Sequence, residues 1–186
     1  MTVLKQELVQ HYAWLRKHGY NDSHSGNASV RDTDRIWVTP TGACADTLEA
    51  DDLIACSIND VIGKNASFDA KLHLEIYKQN DKATAVFHSH GPHTIAMTMS
   101  GNDFVPTDFE GKHYFPTVPV HTISFDEYSE KSPQIVAKSL REHCITVVCG
   151  HGVYACAETI NLAYKWTCSL EHSAKIAFLT QQIKSI

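Results

Sequence analysis

The sequence predicts one α/β domain in which helices layer against a mainly antiparallel sheet. Three observations carry this. Short runs with two-residue alternation intermingle throughout with runs of helical spacing. Several of the extended runs are joined by tight turns, as in hairpins. The chain has 186 residues, of which 43% are hydrophobic, enough for one sizeable core. No repeat, linker or low-complexity segment divides it, so a single domain is expected over residues 1–186.

Residues 3–18 read as a helix, with Leu4, Leu8, Tyr12 and Leu15 at helical spacing and Gly19 as its stop. Residues 27–31 and 35–39 read as a hairpin across Asp32-Thr33-Asp34. Residues 53–58 form a short strand ended by Asn59-Asp60. Residues 69–79 are a helix with Leu72, Ile76 and Tyr77 turned inward. Residues 84–90 are a strand, and Pro92 then opens a short helix, because its fixed φ suits the first helical position. Residues 118–123 are a strand. Ser132-Pro133 caps and starts a helix running to 143 by the same logic. Residues 145–149 and 153–156 are strands flanking Gly150-His151-Gly152, and residues 159–184 make a long last helix.

A net charge of −5 and a pI near 6.1 argue against nucleic acid or an anionic membrane as the main partner. The N-terminal segment is amphipathic and lacks an apolar core, so no signal peptide is expected. No apolar stretch approaches the ~20 residues of a membrane helix. Cysteines stand at 44, 56, 144, 149, 156 and 168 without a C-x-x-C pair, mostly in apolar runs. They read as reduced core thiols of a cytoplasmic protein.

The most informative pattern is His88-Ser89-His90, followed far downstream by Gly150-His151-Gly152. Side chains at i and i+2 share one face of a strand, so two imidazoles converge. A third imidazole in a Gly-flanked turn can reach the same point from another strand. Three imidazoles with an open position are the arrangement of a catalytic zinc. Such a metal can polarise a carbonyl or hold an enediolate oxygen. With 12 histidines in the chain, an H-x-H pair alone would mean little; its context gives it weight.

That context resembles the class II aldolase/adducin family over most of the chain, roughly residues 4–178. The matching pieces occur in the family's order. They are Gly26-Asn27-Ala28-Ser29-Val30-Arg31, Val38-Thr39-Pro40-Thr41-Gly42, Ser67-Phe68-Asp69-Ala70-Lys71-Leu72-His73, His88-Ser89-His90-Gly91-Pro92-His93 and Gly150-His151-Gly152-Val153. The resemblance implies a three-layer α/β/α fold. It implies a divalent metal, usually zinc with cobalt or manganese as alternatives, on His88, His90 and His151. It implies a proton-shuttling role for Asp69, where the fuculose-phosphate aldolase branch has glutamate and the ribulose-phosphate epimerase branch has aspartate. The other reading of Asp69 is a helix cap. Gly26, Asn27, Thr41, Gly42 and Ser67 match positions that hold the substrate phosphate, where backbone N–H groups, hydroxyls and an amide can surround an anion. Phe68 replaces a second serine there, which removes a donor and adds bulk. Glu110 matches an acid that acts in proton transfer in a dehydratase branch. His93 and His73 read as supporting or packing residues, and Glu158 and Glu171 as a solvated face.

The expected activity is therefore that of a metal-dependent lyase cleaving a small hydroxy-keto compound, a carbohydrate or sugar phosphate, through a metal-stabilised enediolate. A homotetramer is expected by analogy with the family. Epimerase, dehydratase and decarboxylase chemistry remain alternatives for the same site. Aspartate at 69 favours the epimerase and Glu110 the dehydratase, while the short tail after the last helix lacks the tyrosine usual in epimerases. A non-enzymatic adducin-like module is disfavoured by the presence of all three histidines.

Overall fold

The computed structural model describes residues 2–59 and 61–184. The chain folds in the order α1 (Thr2–Lys17), β1 (Asn27–Asp32), β2 (Arg35–Val38), β3 (Ile54–Ser57), α2 (Ala70–Gln79), β4 (Ala85–Ser89), α3 (Pro92–Thr98), α4 (Phe109–Tyr114), β5 (Val120–His121), α5 (Tyr128–Glu142), β6 (Ile145–Val148), β7 (Gly152–Ala157) and α6 (Ile160–Lys184). The strands form one seven-stranded sheet ordered β3-β2-β1-β4-β7-β6-β5. Every pairing is antiparallel except β5 with β6.

Strand alternation builds the three layers. In β4, Val86 faces a core with Leu72 and Ile76 of α2 and Val136 and Leu140 of α5. Ala85 and Phe87 face the opposite core, with Leu8, Tyr12 and Leu15 of α1 and Ile160 and Ala163 of α6. β6 and β7 repeat the pattern: Val147 and Val153 pack with Leu170 and Ala174 of α6, while Val148 and Tyr154 join the α2/α5 side. Burying a large side chain such as Phe87 or Leu140 stabilises by roughly 1.5–3 kcal/mol each. His88 has the parity of Val86, so it emerges on the α2 side at the end of the central strand.

The expected strands and helices are present, with shifts at their ends. α1 closes in a Schellman motif: Gly19 is left-handed at φ +75, Tyr20 N donates to Leu15 O at 2.9 Å, and Gly19 N donates to Arg16 O at 3.0 Å. β3 ends at Ser57 and Asn59 lies in the turn that follows, whereas Asp60 lies outside the described residues. β5 is shorter than 118–123 because Val118 instead bridges Phe104, and the Asp103 carboxylate takes the N–H of Val120.

Two segments depart from expectation. α5 starts at Tyr128, not at Ser132-Pro133, because a 3-10 turn at Phe125–Glu127 runs directly into it. Pro133 falls in the second turn, where it removes a single helical hydrogen bond. The stretch around Glu110, to which the sequence reading assigns no element, is a helix: the Asp108 carboxylate accepts from Gly111 N at 2.9 Å and so caps α4. All six cysteines are free thiols, with Cys56 and Cys156 buried. No helix among the described residues is long and apolar enough to cross a membrane.

Candidate metal centre and its cleft

His88, His90 and His151 are brought together by three short pieces of backbone. β4 carries His88 at its penultimate position, and His90 follows just beyond its end. His151 sits in the tight turn between β6 and β7, and β7 pairs directly with β4. The three imidazoles offer nitrogens that all lie within 4.8 Å of one another. Nε2 of His90 stands 2.9 Å from Nε2 of His88, close to the ~3.3 Å edge expected for two nitrogens on one tetrahedral zinc.

The histidines suit a divalent metal on several further counts. Nδ1 of His88 donates to the backbone carbonyl of Val153 at 2.9 Å, which leaves Nε2 as the free lone pair. Burial holds all three imidazoles below their ordinary pKa: His88 well below, also through its histidine neighbours, His90 to about 4 through burial and His151, and His151 through burial. Neutral imidazole is the ligating form. Gly152 makes the close packing possible. A Cβ at that position would lie 2.5 Å from Ser89 O, 2.9 Å from His88 Cε1 and 3.0 Å from His90 Cδ2.

Asp69 lies next to this centre. It precedes α2, yet its carboxylate makes no capping bond. The carboxylate instead accepts from Asn27 Nδ2 at 2.9 Å, from Tyr128 at 3.0 Å and from Tyr154 at 3.0 Å. The cap-like role falls to Ser67, whose Oγ accepts from Asp69 N at 3.3 Å. Asp69 Oδ2 stands 3.8 Å from His88 Nε2. Burial works against its ionised form, but His88, Asn27, His73 and Tyr154 outweigh that and hold its pKa below the ordinary value. The phenols of Tyr128 and Tyr154 are pushed up by burial and by Asp69, so they remain protonated donors. Their two oxygens also make a short contact with each other.

His88, His90, His151, Asp69 and Tyr128 line one wall of a cleft of about 620 Å³, with Tyr154 buried behind them, and Gly26, Asn27, Thr41, Gly42 and Ser67 line it as well. Asn27 and Ser67 are buried, whereas Thr41 and Gly42 are exposed at the mouth. Among the described residues lining the cleft, none is lysine or arginine. Phe68 neither enters the core nor closes the cleft. It is 71% exposed at the rim and stacks on Tyr128, with centroids 6.3 Å apart.

Other candidates fall elsewhere. Glu110 is not brought to this cleft. Capping by Asp108 orients α4 so that Gly111 packs inward and Glu110 is exposed, lining a separate depression with Tyr20 and His172. Glu171 is not part of a solvated face: it is buried on α6 and accepts from the N–H and Nδ1 of His93 and from the N–H and Oγ1 of Thr94. Those bonds anchor the start of α3 and occupy His93. His73 is fully buried, held at Nδ1 by Ser29 Oγ at 2.6 Å, and burial lowers its pKa to about 4. Sequence reasoning missed Tyr128 and Tyr154. Neither carried a local signal: Tyr154 comes opposite His88 only through the β4–β7 register.

Comparison with known proteins agrees with this architecture. The family described as Class II Aldolase and Adducin N-terminal domain matches residues 6–178. An L-fuculose phosphate aldolase of Methanocaldococcus jannaschii is 25% identical over 183 residues, covering 97% of this chain and 98% of that protein. A 3-oxo-tetronate 4-phosphate decarboxylase of Cupriavidus necator is 35% identical over 100 residues, covering 53% of this chain and 46% of that protein. The crystal structure of an L-fuculose-1-phosphate aldolase from Thermus thermophilus superposes with a TM-score of 0.92 at 28% identity, covering 98% of this chain and 96% of that one. With its family match spanning nearly the whole fold, the chain belongs to the class II aldolase and adducin N-terminal domain family.

Proposed function

We propose that this aldolase-type lyase cleaves a carbon–carbon bond in a small hydroxy-keto compound of the sugar-phosphate class, using a divalent metal, zinc, held by His88, His90 and His151. One observation carries the reading: three neutral imidazoles converge beside the buried carboxylate of Asp69 on the wall of a single cleft. When bound, the metal supplies Lewis-acid polarisation of a substrate carbonyl. The fixed His88 tautomer directs its free nitrogen inward. Asp69, ionised and held by three donors, takes up and returns the proton that bond cleavage requires. The backbone at Gly26 and Gly42, the amide of Asn27 and the hydroxyls of Thr41 and Ser67 hold the phosphate without a cationic side chain. The protein is proposed to act in the cytoplasm as a homotetramer.

A decarboxylase reading of the same cleft has one specific support, the likeness to the Cupriavidus necator protein over half of this chain. The dehydratase reading loses its support because Glu110 lies outside the cleft. The test is a screen of phosphorylated and free ketoses and of 3-keto acids, read in parallel as aldehyde and carbon dioxide release. Aldehyde from a phosphorylated ketose supports the aldolase. Carbon dioxide release alone replaces it with the decarboxylase, and turnover confined to unphosphorylated substrates removes the phosphate.

A further inference from the structure

An acid beside a metal can ligate it or stand apart from it. We propose that Tyr128 and Tyr154 are positioning residues that hold Asp69 off the metal as an unligated carboxylate. The inference rests on the reading of the three histidines as metal ligands.

Both oxygens of Asp69 are engaged away from the histidine nitrogens. Oδ1 accepts from Tyr128, and Oδ2 accepts from Tyr154 and from Asn27. Both tyrosines are packed against the histidines. Tyr154 is fully buried and stacked on His88, with ring centroids 4.1 Å apart. Tyr128 meets His151 edge-on at 4.6 Å between centroids. The same two rings that back the histidines thus fix the acid. If Asp69 moved onto the metal, the buried Tyr154 hydroxyl would exchange a charged acceptor for the neutral oxygen of Tyr128, a weaker partner. The geometry agrees: Asp69 Oδ2 approaches His88 Nε2 to 3.8 Å, yet among the described residues the group of donors placed to share one ion is that of the three histidines. An aspartate kept in place by two phenols needs no longer side chain, because the tyrosines set its position.

The test uses cobalt(II) added to the metal-free full chain, with the visible absorption band reporting coordination and titration giving the dissociation constant. Four proteins are compared: the parent, Asp69→Asn, the Tyr128→Phe/Tyr154→Phe double variant, and the triple variant combining all three. In the parent background, Asp69→Asn is expected to leave the cobalt band unchanged. The double variant should show an altered band and bind cobalt on the order of tenfold more tightly, because the freed carboxylate reaches the metal. Adding Asp69→Asn to it should restore the parental band. A band change on Asp69→Asn in the parent overturns the inference, since Asp69 would then already be a ligand. So does a double variant with the parental band. If the double variant does not fold by far-ultraviolet circular dichroism, the Asp69→Asn comparison and the single Tyr128→Phe variant decide by the same criteria. A parent that binds no cobalt overturns the histidine reading itself and this inference with it.

Discussion

The ring of Tyr154 lies flat on the ring of His88, centroids 4.1 Å apart and planes 3° from parallel. The partners face each other across the β4–β7 ladder, where His88 is registered with Tyr154. Stacking on one face and the Nδ1 bond to Val153 at one edge leave His88 a single orientation. Its free nitrogen therefore has a fixed address before any ligand arrives, which is the condition for a preorganised site.

Metal content is the first expectation. The purified protein should hold about one divalent ion per chain, as imidazole ligands suit zinc. His88→Ala, His90→Ala and His151→Ala should each lose most of the metal and the activity. Elemental analysis showing full occupancy in all three variants would remove the assignment.

Asp69→Asn is expected to keep the fold and most of the metal while the turnover number falls by ~10² to 10⁴, the usual contribution of a general base. Circular dichroism, metal analysis and kcat measured on one preparation separate the two effects. Turnover equal to the parent would assign the proton transfer elsewhere.

The proposed anion pocket makes opposite demands on neighbouring residues. Ser67→Ala should raise the inhibition constant for inorganic phosphate about tenfold or more, since a hydrogen bond to a charged group is worth roughly 1.5–3 kcal/mol. Phe68→Ser should lower it by returning a hydroxyl to the rim, at little cost in stability because Phe68 is largely exposed. Absence of phosphate inhibition in the parent would count against a phosphorylated substrate.

Gly152→Ala should release metal without replacing a ligand, by crowding two of them. The added methyl group would meet Ser89 O, His88 and His90 within 3.0 Å, and such overpacking costs about 1–3 kcal/mol. The expected result is a lower metal affinity and a lower Tm. Unchanged metal content would show that the turn absorbs the methyl group.

Glu171→Ala should destabilise the protein through α3 and not through the cleft. Four donors of His93 and Thr94 would lose their acceptor, and each buried unsatisfied group costs ~1–3 kcal/mol. A Tm several degrees lower, at ~2–4 °C per kcal/mol, with cobalt affinity unchanged is the expected pair of results.

The sheet and the histidines were readable in the sequence because both obey short-range rules. Alternation in β4 is local, and it carries His88 and His90 to one face without reference to the rest of the chain. Tyr128 and Tyr154 were not readable as partners of Asp69, since they lie 59 and 85 residues from it. They meet only once α5 packs on α2 and β7 pairs with β4. Glu171 misled for the same reason. A glutamate on a helix reads as solvent-facing until the donors of His93 and Thr94, 78 and 77 residues away, are placed above it. The start of α5 was missed because Ser132-Pro133 imitates a cap, and only the preceding 3-10 turn reveals the earlier beginning.

The position of β4 has a consequence for how the protein fails. It is the fourth of seven strands, with β1 on one edge and β7 on the other. Opening it means parting the sheet through its middle, so its amides should exchange with solvent only by global unfolding. Denaturation should therefore report loss of the histidine site and loss of the fold as one event, whereas the two-residue edge strand β5 can fray without disturbing the centre.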